Sequence, residues 1–422
     1  MIEGIEHIRD FRGIKTGSIE QFKKFNLLVG PNNSGKSAIL EAIYLTSTAS
    51  HKATLHETIQ NSLNYCWAKI SELDFLGEYP VQRVLKRHNY HINSFNESLT
   101  VDLNSVSVPL QHFRLEISSG FNTNFSDQVG LFSFEPTQKP QHSGQIEIIN
   151  KLAYLILQAA PKPVISFTSK QVIYSWIPDL SYNNVGTSAW VIKGKTASSQ
   201  SSLFYDVSNM TSHFPLSFFQ KMVMTIPGWT QKIAESFGRV LGINKAFNVQ
   251  FLPVSSQSFL QAWIAPADQT AITIDSYGDG ARNAFKVLTP LLALVHKVDE
   301  TNPGIFIWEE PGLFQNPQTL GLLLKEIATL VKNKPIQIFI ATHSMEVVAY
   351  FLQLVEDGLI GKDELATIRM NLVDGKLSTS EFNYSEVEDW IEMRLDVRTP
   401  SGRIESPLIY SLKQTKEDEE ND

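Results

Sequence analysis

The sequence predicts an α/β fold built around a largely parallel sheet. Three apolar runs support this prediction, at residues 26–29, 304–308 and 336–341. Continuous apolar runs of this length are typical of strands that are buried on both faces of a parallel sheet. Each run ends in polar or glycine-rich residues, and the first leads towards an amphipathic segment at residues 37–45. The chain of 422 residues leaves room for a large insertion between the first run and the second.

The segment after the first run, Gly-Pro-Asn-Asn-Ser-Gly-Lys-Ser at residues 30–37, matches the phosphate-loop pattern G-x-x-x-x-G-K-[ST]. Gly30 and Gly35 allow the backbone to wrap around a phosphate, and the following helix adds its positive end. Lys36 is expected to reach the β- and γ-phosphates of ATP, and the Ser37 hydroxyl to ligate Mg²⁺. A glycine-rich turn could match by chance, but the flanking strand and helix favour nucleotide binding. The other nucleotide-binding residues predicted in the loop are Asn32, Asn33, Ser34 and Gly35.

The composition is that of a globular protein, with 42% hydrophobic and 19% charged residues. The sequence has no apolar run of about eighteen residues and no secretory signal. The single cysteine, Cys66, fits a reducing compartment. These features predict a cytoplasmic protein that does not enter a membrane. The net charge of −8 argues weakly against a surface dominated by nucleic-acid contacts, although it is compatible with a local basic groove.

The chain divides into four predicted parts. They are an N-terminal lobe with the phosphate loop at 1–60, an α+β insertion for dimer or partner contacts at 61–260, a C-terminal lobe at 261–405 and an acidic disordered tail at 406–422. Patterns in and after the insertion predict strands at 99–103, 112–117, 164–167, 247–252 and 271–274. Helices are predicted at 145–158 and, broken near Pro227 and Gly228, at 214–241. Sustained heptads are absent from the sequence, so we expect no long coiled coil.

Acidic residues end the second apolar run, and a histidine follows the third. Because ligands of α/β sheets bind beyond the carboxyl ends of the strands, both sets of side chains are candidates for the nucleotide site. We expect Glu309 to bind Mg²⁺, directly or through water, and Glu310 to polarise the attacking water. His343 is expected to sense the γ-phosphate or that water by hydrogen bonding. The two glutamates could instead be an ordinary exposed strand end, and the histidine a local cap. The presence of the phosphate loop favours the functional interpretation of all three residues.

Ser276-Tyr277-Gly278-Asp279-Gly280 precedes a helical run at residues 281–298. Small residues before a helix N-terminus make a second anion-binding end. One nucleotide needs only one such loop, so the second is expected to face the nucleotide of another copy. A strand-to-helix turn that needs glycine explains the same residues equally well.

Together these motifs, with Asp10-Phe11-Arg12-Gly13-Ile14 near the start, resemble the ABC-type ATPase heads of the RecF, SMC and OLD group. The resemblance is strongest to OLD-like ATPases and covers about residues 1–50 and 270–400. It implies an ABC-ATPase head with a mixed or parallel sheet, flanked by helices. It also implies ATP and Mg²⁺ as ligands and a head-to-tail dimer or higher oligomer.

By this resemblance Ser276 and Gly278 would touch the γ-phosphate bound by the partner copy, and His343 would be the switch histidine. Arg12 would join the nucleotide-binding residues, and Gln171 would be the glutamine that senses Mg²⁺.

The sequence departs from this group in several places. Glu309 stands where many members have aspartate, the Ser-Gly-Gly spacing of the signature is altered, and Phe-Gln-Asn-Pro at 314–317 replaces the usual Leu-His-Pro. The sequence after His343 has no Asp-x-Asp metal motif, so we expect no nuclease of the Toprim type within this chain.

The resemblance implies an ATPase switch or scaffold that controls a separate effector, a nuclease encoded nearby. Stand-alone ATPases of this kind are similar to subunits of bacterial antiviral systems of the PARIS and Septu type, with DNA or a phage protein as trigger. The alternative is a RecF-like ATPase that closes on DNA in repair or recombination. A scaffold that does not hydrolyse ATP is disfavoured because Glu310 is present.

Overall fold

The phosphate-loop strand lies inside an extended sheet, between two parallel neighbours. The structure, a computed structural model, describes residues 1–47, 75–76, 98–101, 113–116, 133–136, 164–168, 171–176, 188–194, 201–243, 247–253, 259–266 and 270–399. Its strands are β1 (Ile2–Phe11), β2 (Ile14–Ile19), β3 (Phe25–Val29), β4 (Ser98–Val101), β5 (Phe113–Glu116), β6 (Ser133–Pro136), β7 (Val164–Thr168), β8 (Gln171–Trp176), β9 (Ser188–Gly194), β10 (Ser202–Tyr205), β11 (Phe214–Pro215), β12 (Phe247–Pro253), β13 (Phe259–Pro266), β14 (Ile272–Thr273), β15 (Gly304–Glu309), β16 (Ile336–Thr342), β17 (Leu365–Val373) and β18 (Lys376–Phe382). Its helices are α1 (Lys36–Ser47), α2 (Val207–Thr211), α3 (Leu216–Thr225), α4 (Trp229–Leu241), α5 (Asp279–Lys297), α6 (Pro317–Val331), α7 (Met345–Glu356) and α8 (Tyr384–Glu392).

The main sheet of the described residues has eleven strands in the order β10-β15-β16-β3-β17-β18-β2-β1-β9-β8-β7. The first five strands run parallel to one another. From β2 onwards every pairing is antiparallel. The predicted α/β fold with a mixed sheet is therefore confirmed. The longest described helix, α5, has 19 residues, which is too short for a long coiled-coil arm.

Helices cover both faces of the parallel strands. Side chains alternate along a strand, so Phe306 and Trp308 face one core while Ile305 and Ile307 face the other. The first core is completed by α4, α5, α6 and α7. The second core contains α1, β1 and β2. This two-sided burial explains why the parallel strands read as uninterrupted apolar runs.

The sheet curls around α1, and a buried glutamine closes the curl. Gln337 of β16 is 1% exposed, although it is a polar residue. Its side chain accepts a hydrogen bond from the Ile2 N–H at 2.8 Å and donates one to the Ile2 carbonyl at 2.8 Å. It also donates to the Lys23 carbonyl at 2.8 Å. Because β1 and β16 are not neighbours in strand order, these bonds bring the two halves of the sheet together around α1.

Several predicted elements can be compared with the structure. The predicted break in the helix of residues 214–241 is confirmed, because Gly228 adopts a left-handed φ of 67° between α3 and α4. The predicted strand at 271–274 is shorter, since the chain enters a 3₁₀ turn at Ile274–Ser276. The predicted helix at 145–158 lies outside the described residues.

The predicted insertion at 61–260 contributes to the main sheet. Strands β7, β8 and β9 extend it beyond β1, and β10 adds an edge strand beside β15. The boundaries at residues 60, 260 and 405 stay predictions, and the acidic tail lies outside the described residues. Among the helices that the structure describes, none has the length and apolar character needed to cross a bilayer.

We predict that Gln337→Met lowers the free energy of unfolding by about 2–4 kcal/mol, because it leaves the buried Ile2 N–H and carbonyl without partners. The side chain keeps nearly the same volume, so lost hydrogen bonds dominate the effect. Urea denaturation followed by circular dichroism measures the change. The matched control is Gln231→Met on the exposed face of α4, for which we expect a change within about 0.5 kcal/mol. Equal stability of the two variants would contradict the closing role of Gln337.

Candidate functional site

The phosphate loop connects buried strand β3 to α1 through a turn that requires glycine. Gly30 has a φ of 143° and Gly35 a φ of 92°, and both values disfavour other residues. A Cβ atom at position 30 would also lie 2.4 Å from the Met370 carbonyl oxygen of β17. Asn33 is left-handed at 62°, a conformation that asparagine tolerates. Asn32 and Asn33 are exposed at the tip, whereas Ser34 is buried.

Lys36 folds back over this loop. Its ammonium group donates to the carbonyls of Gly30 and Pro31, both at 2.9 Å, and to Ser34 Oγ at 3.4 Å. Burial lowers the pKa of Lys36, and the charges of Glu310 and Glu309 oppose that shift. The lysine charge is therefore held inside the loop and near both carboxylates.

Register brings the first acidic residue to the phosphate loop. Trp308 and Glu309 of β15 pair with Ile340 and Ala341 of β16, and Ala341 in turn pairs with Leu28 of β3. The Ser37 hydroxyl consequently donates a hydrogen bond to Glu309 Oε1. A hydroxyl and a carboxylate are oxygen donors of the kind that Mg²⁺ prefers, so these two residues fit a magnesium ion.

Glu310 and His343 form a second contact at the same edge. Glu310 has a left-handed φ of 52°, which is unusual for a residue other than glycine. Its Oε2 atom accepts hydrogen bonds from the His343 backbone N–H at 3.2 Å and from Thr342 Oγ1 at 3.3 Å. His343 Nδ1 lies 2.8 Å from the same oxygen, and the imidazole is 62% exposed. The contact thus joins the ends of β15 and β16 and leaves the imidazole open to a ligand.

Arg12 lies in the two-residue turn between β1 and β2. Its φ is 50° and that of Gly13 is 83°, as expected for a tight hairpin. The guanidinium group contacts Glu41 of α1 at 2.5 Å, and Glu41 is fully buried. The structure therefore places Arg12 beside the helix of the phosphate loop, and its contact with nucleotide stays a prediction.

Ser276 and Gly278 lie on the surface of the protein, just before α5. Both are exposed, and Ser276 Oγ is 2.8 Å from Thr273 Oγ1. Gly278 is the N-cap residue of α5. Because glycine has no side chain, it cannot accept hydrogen bonds from the first N–H groups of that helix. The adjoining loop after Glu310 touches this region, because Gln315 donates to the Gly280 carbonyl at 3.0 Å.

A partly buried ion pair between Asp275 and Lys286 holds the segment before α5 in place. Lys286 of α5 is 3% exposed and donates to Asp275 Oδ1 at 3.0 Å and to the Ser212 carbonyl at 2.9 Å. Gln261 of β13 donates to Asp275 Oδ2 at 3.0 Å. Burial would raise the pKa of Asp275, but the hydrogen bonds from Gln261 and Lys286 outweigh it and lower the pKa. Asp275 therefore stays charged and ties the loop to α5 and β13.

Two further positions concern the predicted magnesium site. Gln171 is the first residue of β8, which lies six places from β3 in strand order, so its role stays a prediction. Sequence reasoning missed Asp206, which is 4% exposed. Tyr205 pairs with Trp308, so Asp206 follows β10 at the level of Glu309 and lines the same small cavity. The apolar run Leu203-Phe204-Tyr205 before an aspartate was a usable signal.

Comparison with known proteins adds to this geometry. Residues 1–105 match a family described as "AAA ATPase domain", which covers the phosphate loop and α1. The DNA replication and repair protein RecF of Aliivibrio salmonicida (strain LFI1238) is 55% identical over 38 residues, 9% of this chain and 11% of that protein. RecF of Escherichia coli O1:K1 / APEC is 57% identical over 37 residues, 9% of this chain and 10% of that protein. The matches thus span about a tenth of the length of these relatives.

Two solved structures are similar along most of the chain. The Smc head bound to the C-winged helix domain of ScpA is 13% identical, with a TM-score of 0.43, over 92% of this chain and 99% of that one. The SMC head domain from Thermotoga maritima is 12% identical, with a TM-score of 0.34, over 90% and 98%. The chain carries an ATPase domain, and the residues that match RecF make up less than a tenth of its length.

Proposed function

We propose that the chain is an ATP-hydrolysing switch in which two copies pair head to tail. Each ATP would lie between the phosphate loop of one copy and Ser276 and Gly278 of the other. The observation that carries the proposal is the convergence of Lys36, Ser37, Glu309 and Glu310 at the carboxyl ends of adjacent parallel strands.

The roles proposed for these residues follow from their contacts. Lys36 would hold the β- and γ-phosphates as a point charge, and the backbone of residues 32–35 would donate its N–H groups. Ser37 and Glu309 would hold Mg²⁺, which neutralises charge on the phosphates when bound. Glu310 would orient the attacking water and accept its proton, because its carboxylate is directed by the His343 N–H and Thr342. The exposed His343 imidazole would donate a hydrogen bond near the γ-phosphate.

The exposed position of Ser276 and Gly278 supports a dimer. Their helix, α5, begins without a side-chain cap, and the N-terminal end of a helix attracts an anion. The Asp275–Lys286 pair holds this end in place, so a partner's γ-phosphate would meet a rigid surface. Arg12, through Glu41 and α1, would support the phosphate loop from the side.

Asp206 and Gln171 are alternative candidates for an additional contact with the hydrated magnesium ion. The register of β10 with β15 supports Asp206, because it brings the aspartate to the level of Glu309. Gln171 is supported only by its place in the resemblance to ABC-type heads. A rise in the Mg²⁺ concentration needed for half-maximal hydrolysis in Asp206→Asn, but not in Gln171→Ala, would favour the aspartate.

We further propose that the ATP state is sensed by a separate effector protein, a nuclease, in bacterial antiviral defence. DNA or a phage protein would then act as the trigger. The acidic net charge of −8 supports a protein partner over a DNA-wrapping surface. A RecF-like function on DNA is the second candidate, and the 55% identity to RecF over 38 residues favours it.

Lys36→Ala is expected to abolish ATP binding, because it removes the positive charge within the loop. Titration with a fluorescent ATP analogue measures the dissociation constant. Lys232→Ala, on the exposed face of α4, is the matched control and should bind like the wild type. Unchanged affinity of Lys36→Ala would refute the assignment of the phosphate loop.

Glu310→Gln should bind ATP within about threefold of the wild type but hydrolyse it about 100-fold or more slowly, because the amide cannot accept the proton. A phosphate-release assay at saturating Mg-ATP measures the rate. Glu300→Gln removes one exposed carboxylate elsewhere and should hydrolyse ATP at the normal rate. A fully active Glu310→Gln protein would place the general base elsewhere.

Glu310→Gln protein should double its mass on addition of Mg-ATP, since it traps the ATP that joins two copies. Adding Ser276→Arg should prevent the doubling and leave ATP binding to the single chain intact. Thr329→Arg on exposed α6 is the matched control and should dimerise. Light scattering measures the mass, and a monomer in every variant would exclude the dimer.

The same assay separates the two candidate outputs. The effector proposal expects dimers without DNA and a stable complex with the protein encoded next to this chain. The RecF-like alternative expects that Glu310→Gln assembles only on duplex DNA, with a steep loss of binding as salt rises. In that case we would abandon the effector proposal.

A further inference from the structure

A short segment after α8 reaches the site, although it belongs to none of the nucleotide-binding motifs. The chain turns at Arg394, whose φ is 59°, and Asp396 and Val397 then become fully buried. We call residues 394–399 the return segment. It follows the last helix of the described chain and ends beside His343.

Arg398 of the return segment is oriented by its own neighbour. Its Nε atom donates to Asp396 Oδ1 at 2.9 Å, and Nη2 donates to Asp396 Oδ2 at 2.6 Å. The Asp396 side chain is fully buried, while that of Arg398 is 20% exposed. A two-pronged contact of this kind sets the plane of a guanidinium group as well as its position.

The third nitrogen of this guanidinium group contacts His343, the predicted switch histidine. Arg398 Nη1 donates to the His343 carbonyl at 2.5 Å. Two further polar groups of His343 contact Glu310, the backbone N–H at 3.2 Å and Nδ1 at 2.8 Å. His343 is therefore held between the catalytic candidate on one side and Arg398 on the other. Its imidazole is 62% exposed, so packing contributes little to its orientation.

The return segment is itself anchored to the sheet. Arg369 of β17 donates to the Thr399 carbonyl at 3.1 Å and to Ser380 Oγ at 3.1 Å. The Arg369 guanidinium also lies 5.0 Å from the ring centres of Phe382 and Trp390. Because β17 is the neighbour of β3, this anchor ties the return segment to the strand that carries the phosphate loop.

We propose that Arg398 is a positioning residue for ATP hydrolysis. Asp396 orients the guanidinium, the guanidinium holds the His343 peptide, and the peptide sets the imidazole against Glu310. This inference rests on the proposed function, because it requires Glu310 and His343 to act on ATP. Neither Asp396 nor Arg398 needs to touch the nucleotide.

The test is a double-mutant cycle between Arg398 and His343 with steady-state ATP hydrolysis as the readout. Arg398→Ala should lower kcat about 10-fold, the size expected for a slightly misplaced group, and leave KM for ATP within about twofold. In a His343→Ala background the same change should lower kcat less than about twofold, since the imidazole that Arg398 positions is gone. An equal loss in both backgrounds, or no loss in either, would overturn the proposal.

Arg398→Lys provides a second variant in case the alanine variant does not fold. Lysine keeps the charge but cannot bridge the Asp396 carboxylate and the His343 carbonyl with one planar group. It should therefore lose about fivefold in kcat in the wild-type background only. Arg394→Gln removes a positive charge from the exposed start of the return segment and should be fully active.

Glu310→Gln in the same assay separates the proposed function from the role of Arg398. If that variant hydrolyses ATP at the normal rate, the proposed function is wrong. If Glu310→Gln is slow while Arg398→Ala is as fast as the wild type, only the inference about Arg398 is wrong.

Discussion

The register between three parallel strands is the constraint on which the rest of the site depends. Trp308 pairs with Ile340, and Ile340 pairs with Leu27, so β15, β16 and β3 end at one level. The register alone therefore brings the side chains that follow each strand close together, and the loops do not have to do so. A shift of one residue would turn Glu309 towards the opposite face of the sheet and break its contact with Ser37.

Backbone conformation adds a second requirement at this edge. Glu310 occupies a left-handed conformation that costs energy for a residue with a Cβ atom. The Glu310 N–H donates to the Ala341 carbonyl at 2.8 Å. The Glu310 carboxylate accepts hydrogen bonds from the two residues after Ala341, which are Thr342 and His343. These contacts hold the strained residue in place. The direction of the carboxylate is therefore determined mainly by β16.

Local patterns in the sequence were sufficient to predict much of this arrangement. The phosphate loop, the acidic end of β15 and the histidine after β16 each follow an uninterrupted apolar run, and periodicity identifies such runs. The break at Gly228 was equally visible, because Pro227 and Gly228 interrupt a helical pattern. These features depend on neighbours within a few residues.

What the sequence could not reveal depends on contacts between distant residues. Nothing near Gln337 indicates that it would be buried against Ile2, and nothing near Arg398 indicates that it would bind the His343 carbonyl. Asp206 follows a visible apolar run, but nothing in the sequence indicates that β10 pairs with β15 and so brings the aspartate to the level of Glu309. The membership of β7, β8 and β9 in the main sheet is likewise a matter of long-range pairing, which alternation within one strand does not specify.

The position of β3 has a consequence for the order of folding. Residues 25–29 pair with residues 338–342 on one side and with 365–369 on the other. During synthesis the phosphate loop is made before both neighbours of its strand, which emerge roughly 300 or more residues later. Contacts between residues so far apart form slowly, and an unpaired apolar strand invites aggregation in the meantime. A nascent chain thus acquires its nucleotide site late, and truncation before residue 365 would leave β3 with one side unpaired.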